Sequence, residues 1–111
     1  MSLGTVEELR ELARQATGLQ DFGPDDFSDG LGVLLDSYNR EAGLTERGVR
    51  VTRAMIRGAL AARLISEAAW KAHPEHAGVE ISRPLFVTGL PRTGTTALHR
   101  LLVADPAHQG L

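Results

Sequence analysis

Leu85-Phe86-Val87-Thr88-Gly89-Leu90-Pro91-Arg92-Thr93-Gly94-Thr95-Thr96-Ala97-Leu98 is the stretch on which the reading of this chain turns. Leu85 to Thr88 is a short run rich in strand formers, and it predicts a strand covered on both faces. A loop bounded by Gly89 and Gly94 follows at once. Ala97 to Ala104 then has helical spacing, with Ala97, Leu98, Leu101 and Leu102 expected on one side. Asp105-Pro106 ends that helix, because a residue before proline is pushed away from helical angles.

Strand, glycine-bounded loop and helix in immediate succession form a device for holding phosphate. Gly89 lets the chain turn out of the strand, and Gly94 lets backbone approach an anion with no side chain in the way. Loop N–H groups can converge on phosphate oxygens as a nest. The first N–H groups of the helix are unpaired and carry the positive end of its dipole. Thr95 and Thr96 add hydroxyl donors, and Arg92 brings a fixed charge on a planar fork suited to phosphate or sulfate.

The details separate this loop from the nucleotide-hydrolysing kind. A Walker A loop has lysine before its final Ser or Thr. Thr95 holds that position here, and the cation has moved to Arg92 inside the loop. Without the lysine, an ATPase or GTPase loses its main charge on the transferring phosphoryl group.

Pro84 through His99, with Pro91-Arg92-Thr93-Gly94-Thr95-Thr96 at its centre and Leu101-Leu102 to Asp105-Pro106 beyond, resembles the 5′-phosphosulfate-binding loop of sulfotransferases, in their bacterial branch. The helical segment Leu34-Leu35-Asp36-Ser37-Tyr38-Asn39-Arg40-Glu41 is also similar to the N-terminal region of those proteins. The resemblance implies an α/β fold of P-loop type and a donor, 3′-phosphoadenosine 5′-phosphosulfate (PAPS), with no metal. It implies that Arg92 holds the 5′-phosphate and offsets charge on the leaving phosphate. Gly89, Pro91, Thr93, Gly94, Thr95 and Thr96 correspond to the residues that wrap that phosphate. Charge developing on the bridging oxygen as the phosphosulfate bond breaks is what a pre-aimed cation and N–H donors stabilise. His99 lies one turn beyond Thr95, where a general base for the acceptor is conceivable. An ordinary helix-surface histidine is the favoured reading.

A parallel strand needs a neighbour, usually a dozen or more residues away through a crossover. One strand and five residues after Pro106 do not supply it. The expectation is therefore an N-terminal portion of a larger enzyme, truncated to a helical region over 1–82 and a first βα unit over 83–111, and inactive by itself. General-base and 3′-phosphate-binding residues are expected outside this chain. The acceptor is expected to be a small molecule, lipid or sugar bearing a hydroxyl or amine, and a homo-oligomer stays open. Two alternatives remain at this point: a fragment of a P-loop nucleotide-binding kinase, and a non-catalytic helical interaction module.

Upstream of the loop the pattern is helical. Thr5 and Glu8 have capping-box spacing. Val6, Leu9, Ala13 and Ala16 follow on one face with Leu12 beside them, and Gly18 is a stop. A second helix is predicted from Pro24-Asp25-Asp26, with Phe27, Leu31, Leu34, Leu35 and Tyr38 buried. A third is predicted from about Thr45 to His73, ended by Pro74, with Val49, Thr52, Ile56, Leu60 and Leu64 in register. Arg50, Arg53 and Arg57 read as a solvated face, and Trp70 as an anchor between helices. His73-Pro74-Glu75-His76 offers metal-ligating types, but proline breaks the helix that would align them and a structural zinc needs four ligands. The segment reads as a polar connector.

Composition agrees with one domain's worth of chain. The 111 residues carry 12 basic and 14 acidic side chains, a net charge of −2, and are 42% apolar. That balance excludes wholesale disorder and a dedicated nucleic-acid binder. The absence of cysteine excludes disulfide frameworks, thiolate zinc sites and cysteine nucleophiles. No apolar run is long enough to cross a bilayer, the opening residues turn acidic without an apolar h-region so no secretory signal is expected, and a cytoplasmic location is expected.

Overall fold

The computed structural model describes residues 2–110. It comprises two compact units, Met1–Gly78 and Val79–Leu111.

The first unit is a helical assembly of α1 (Val6–Thr17), α2 (Ser28–Glu41) and α3 (Glu46–Ala72), closed by a 3₁₀ turn over Pro74–Gly78. Local chemistry sets most of the boundaries. The Thr5 hydroxyl accepts from the Glu8 N–H at 3.2 Å, and the Glu8 carboxylate accepts from the Thr5 N–H at 2.8 Å. These two bonds satisfy donors that a helix start leaves orphaned. Gly18, at φ 71°, closes α1 by donating its N–H to the Arg14 carbonyl at 2.7 Å. Thr45 caps α3 through Gly48, and α3 ends before Pro74 as its sequence predicts.

The core joins Leu9 and Ala13 of α1, Leu35 of α2, and Val49, Leu60 and Leu64 of α3. Leu3 and Phe22, from the segments flanking α1, complete it. Ala16 and Leu34 are exposed, so each of the predicted stripes on α1 and α2 loses one member to solvent.

Helix α2 begins at Ser28, not at Pro24. The reason lies in α3. Arg63 donates Nε to the Phe22 carbonyl at 2.7 Å, and Nη2 to the Pro24 carbonyl and the Asp26 carboxylate at 2.7 and 2.8 Å. Its guanidinium also lies 4.5 Å from the centre of the Phe27 ring. The carbonyls and the acid that could have opened a helix are held by a cation 37 or more residues away in sequence, and helix formation is deferred to Ser28. Asp25 accepts from the Ser28 hydroxyl at 2.5 Å.

Trp70 does not anchor helices together. It is 51% exposed and stacks on His76 with ring centres 6.2 Å apart. His76 donates Nδ1 to the His73 carbonyl at 2.7 Å, and His73 Nδ1 pairs with Glu75 at 3.1 Å. The histidines thus fasten the 3₁₀ turn. Among the described residues, no group of three ligating side chains converges to hold a metal.

The second unit corrects the strand in the predicted α/β fold class. Among the described residues there is no strand, and the regular structure of the chain is all helical. Leu85 to Thr88 lacks regular structure, with Leu85 and Phe86 62% and 84% exposed. A strand exists through its partner's hydrogen bonds, and no described segment offers them. The one regular element is α4 (Thr95–Val103), which starts two residues before the predicted Ala97.

Candidate functional site

The loop between Thr88 and α4 is shaped by two left-handed residues. Arg92 has φ 67° and Gly94 has φ 93°. Such a conformation is ordinary for glycine and uncommon for arginine, which places local strain at the loop's one cation. The Thr93 hydroxyl donates to the Leu90 carbonyl at 2.6 Å and ties the turn across its base. At Gly89, a Cβ would sit 2.9 Å from Thr93 Oγ1 and 3.0 Å from Thr95 Cγ2. Position 89 therefore requires glycine for space, and its neighbours are two threonines of the motif.

Gly94 is also the N-cap of α4 and carries no side chain to cap it. The first intrahelical bond runs from the Leu98 N–H to the Gly94 carbonyl at 3.0 Å. The N–H groups of Thr95, Thr96 and Ala97 thus have no acceptor among the described residues. In α1 and α3, by contrast, Thr5 and Thr45 fill that position with a hydroxyl. Three free amides at the positive end of a helix dipole constitute an anion-binding surface.

Arg92 is exposed and forms no ion pair among the described residues, and neither do Arg83 and Arg100. The only acids of the second unit are Glu80 and Asp105. Asp105 is engaged beyond the far end of α4, where it accepts from the Ala107 N–H at 2.9 Å. The loop end of α4 is accordingly cationic and open.

Gly89, Pro91, Arg92, Thr93, Gly94, Thr95 and Thr96 fall together in this one bend, as their contiguity requires. Their roles are not equal. The Thr93 hydroxyl is committed to the Leu90 carbonyl as donor, leaving its backbone N–H for a ligand. His99 sits on the half-buried side of α4 with Thr95 and Leu102, the spacing of one helical face. That face replaces the predicted one: Ala97, Leu98 and Leu101 are exposed. Two surface hollows lie in the helical unit, one lined by Leu34, Ser37, Tyr38, Glu41 and Ala42, the other by Thr5, Glu7, Glu8, Glu11, Leu12 and Arg53. Neither includes a loop residue.

The strained arginine is a feature that sequence reasoning missed. Its signal was the Pro91-Arg92 pair, since proline at the second position of a tight turn leaves the following residue to take positive φ in a type II turn.

Residues 84–111 match the sulfotransferase family model. The curated proteins give no match. Sulfotransferase STF1 from Mycobacterium tuberculosis H37Rv has a crystal structure similar to this one at a TM-score of 0.90 and 61% identity, covering 99% of this chain and 31% of that one. Sulfotransferase STF9 from Mycobacterium avium is similar at 0.82 and 36% identity, covering 96% of this chain and 27% of that one. The chain thus spans less than a third of the length of either solved relative. Both the bend from Gly89 to Thr96 and the helices before it lie within the stretch matched to these proteins, and the chain belongs to the sulfotransferase family.

Proposed function

We propose that the bend from Gly89 to Thr96 grips the 5′-phosphosulfate end of PAPS in an enzyme that passes the sulfuryl group to a hydroxyl or amine. The observation that carries this reading is the uncapped start of α4: three free amides, opened by left-handed Gly94, with unpaired Arg92 two residues before it. The donor supplies an activated sulfur–oxygen bond to phosphate. That bond breaks as sulfur bonds to the acceptor, whose proton passes to a base.

The chain's own residues act on the leaving side. Thr95, Thr96 and Ala97 N–H groups and the Arg92 guanidinium meet oxygens whose negative charge grows as the bond breaks. Stabilisation that strengthens with that charge lowers the barrier. Thr95 stands where a nucleotide-hydrolysing loop has lysine, which counts against the kinase reading. His99 shares the half-buried face with Thr95. We assign it to the support of that face, with proton acceptance as its secondary reading. The acceptor class (alcohol, amine, sugar or lipid) is set outside the bend.

A chimaera in which this chain replaces the matching part of STF1 tests the reading. Calorimetry should show binding of adenosine 3′,5′-bisphosphate in preference to ATP. Arg92→Ala should weaken that binding about tenfold to a hundredfold, the loss of one or two charge-assisted hydrogen bonds. ATP preference would return the kinase reading, and unchanged affinity in Arg92→Ala would remove the guanidinium from its role. His99→Asn should bind the nucleotide normally.

A further inference from the structure

Helix α3 is apolar on two opposite sides. One side, with Val49, Leu60 and Leu64, is buried in the core of the helical unit. The 3.6-residue period puts Val51, Met55, Gly58, Ala62, Ile65 and Ala69 on the other. All six are exposed, with Val51 at 49%, Met55 at 70% and Ile65 at 56%. No charge interrupts this outer face from Val51 to Ala69, a length of about 27 Å at 1.5 Å per residue. A helix that is apolar on both sides belongs inside a larger core.

Arg47 stands at the start of this face, and Arg50 and Arg57 lie on the flank between the two apolar sides. All three are exposed and enter no ion pair among the described residues. Four other arginines of the unit, Arg10, Arg14, Arg40 and Arg63, pair with acids, while Arg53 is half-buried and pairs with none among the described residues. The contrast is between arginines that serve this unit and arginines that face outward with nothing opposite.

We infer that the outer face of α3 docks the polypeptide that makes up the remainder of a sulfotransferase chain, through an apolar element flanked by acidic side chains. This inference rests on the family reading above. Two observations select that occupant. The relatives that match nearly all of this chain are more than three times as long, so most of their fold has no counterpart here. The face is also too small for two copies to hold together. At a width of about 10 Å it offers roughly 270 Å² per partner, against about 800 Å² per partner in a stable complex. It has the dimensions of one helix contact within a domain, where neighbouring contacts share the work.

Co-expression of this chain with the part of STF1 that it does not match tests the inference. A one-to-one complex should elute from size exclusion, weakened at least tenfold by Ala62→Glu and by Met55→Glu. Both positions are exposed, so circular dichroism of the free chain should be unchanged. Arg57→Glu should weaken the complex less and reduce its salt sensitivity. A complex indifferent to both α3 substitutions would overturn the inference. So would a dimer of this chain alone, or binding to anionic phospholipid vesicles, abolished by Ala62→Glu: these assign the face to a second copy or to lipid. A complex that forms and responds as expected yet binds no adenosine 3′,5′-bisphosphate leaves the docking face standing and removes the proposed function.

Discussion

The two units of this chain divide the tasks of folding and binding. Residues 1–78 contain every buried residue of the described core, every cation–π contact and almost every ion pair. Residues 79–111 contain no buried side chain among those described, yet they hold the free amides of α4 and, among the described residues, the two non-glycine residues with left-handed backbone, Arg83 and Arg92. In the first unit the polar groups around the core, Arg14 and Arg63 among them, find partners inside the chain. In the second, the amides at the start of α4 and the Arg92 guanidinium have none among the described residues. Binding sites are built from such unsatisfied groups, whose cost the rest of a fold must offset.

The largest expected effect lies in the core and sharpens that division. Leu64 has no exposed surface, and Leu64→Ala should destabilise the helical unit by about 2–5 kcal/mol, lost transfer energy plus a cavity. Leu101, 72% exposed, is its counterpart in α4, and Leu101→Ala should stay within about 0.5 kcal/mol. Urea unfolding followed by circular dichroism measures both. An equal loss for the two would mean that the second unit has a core of its own, and the contrast would be broken.

The same division explains what could be read in advance. Short-range signals were legible because the physics is short-range: Thr5 with Glu8, Gly18 as a stop, Thr45 and Pro74 around α3, and Gly94 before α4. The start of α2 was not, because Arg63 reaches back to Phe22, Pro24 and Asp26, and no local pattern announces a partner on another helix. Trp70 was misplaced for the same reason, its ring partner being His76 in the turn beyond its own helix. The predicted strand at Leu85 to Thr88 had the right composition, but pairing is a property of two segments and only one is described here. In the loop, the anion-binding residue types were legible from spacing, whereas the conflict between Arg92 and its φ of 67° is visible only in three dimensions.

A smaller effect tests whether the partnered polar groups do hold the first unit. Arg63→Ala removes three hydrogen bonds and the stacking over Phe27, and should cost about 1–3 kcal/mol. Arg63→Lys should recover less than half, because an ammonium cannot reach two carbonyls and a carboxylate in the fork geometry. Full recovery in the lysine variant would reduce the contribution of Arg63 to simple charge.

The smallest effect is one of pH, and it also belongs to the first unit alone. The Glu7 carboxyl is held below its ordinary 4.5 chiefly by the hydrogen bond from Arg14, and Asp21 below 3.8 by Lys71 and then by the Gly23 N–H. A carboxyl whose pKa falls on folding adds stability above its unfolded value and loses it as pH falls through the folded one. The partners shift oppositely: Arg14 and Lys71 are raised, so their contribution fades only as pH climbs past Lys71's ordinary 10.5. Stability should therefore be level near neutrality and decline below about pH 4.5, gently, since both pairs are open to solvent and salt. Thermal melts of Glu7→Gln/Asp21→Asn should show a shallower acid decline than the parent chain, with the gap closing at high salt. An unaltered decline would mean that these two pairs do not govern the acid response.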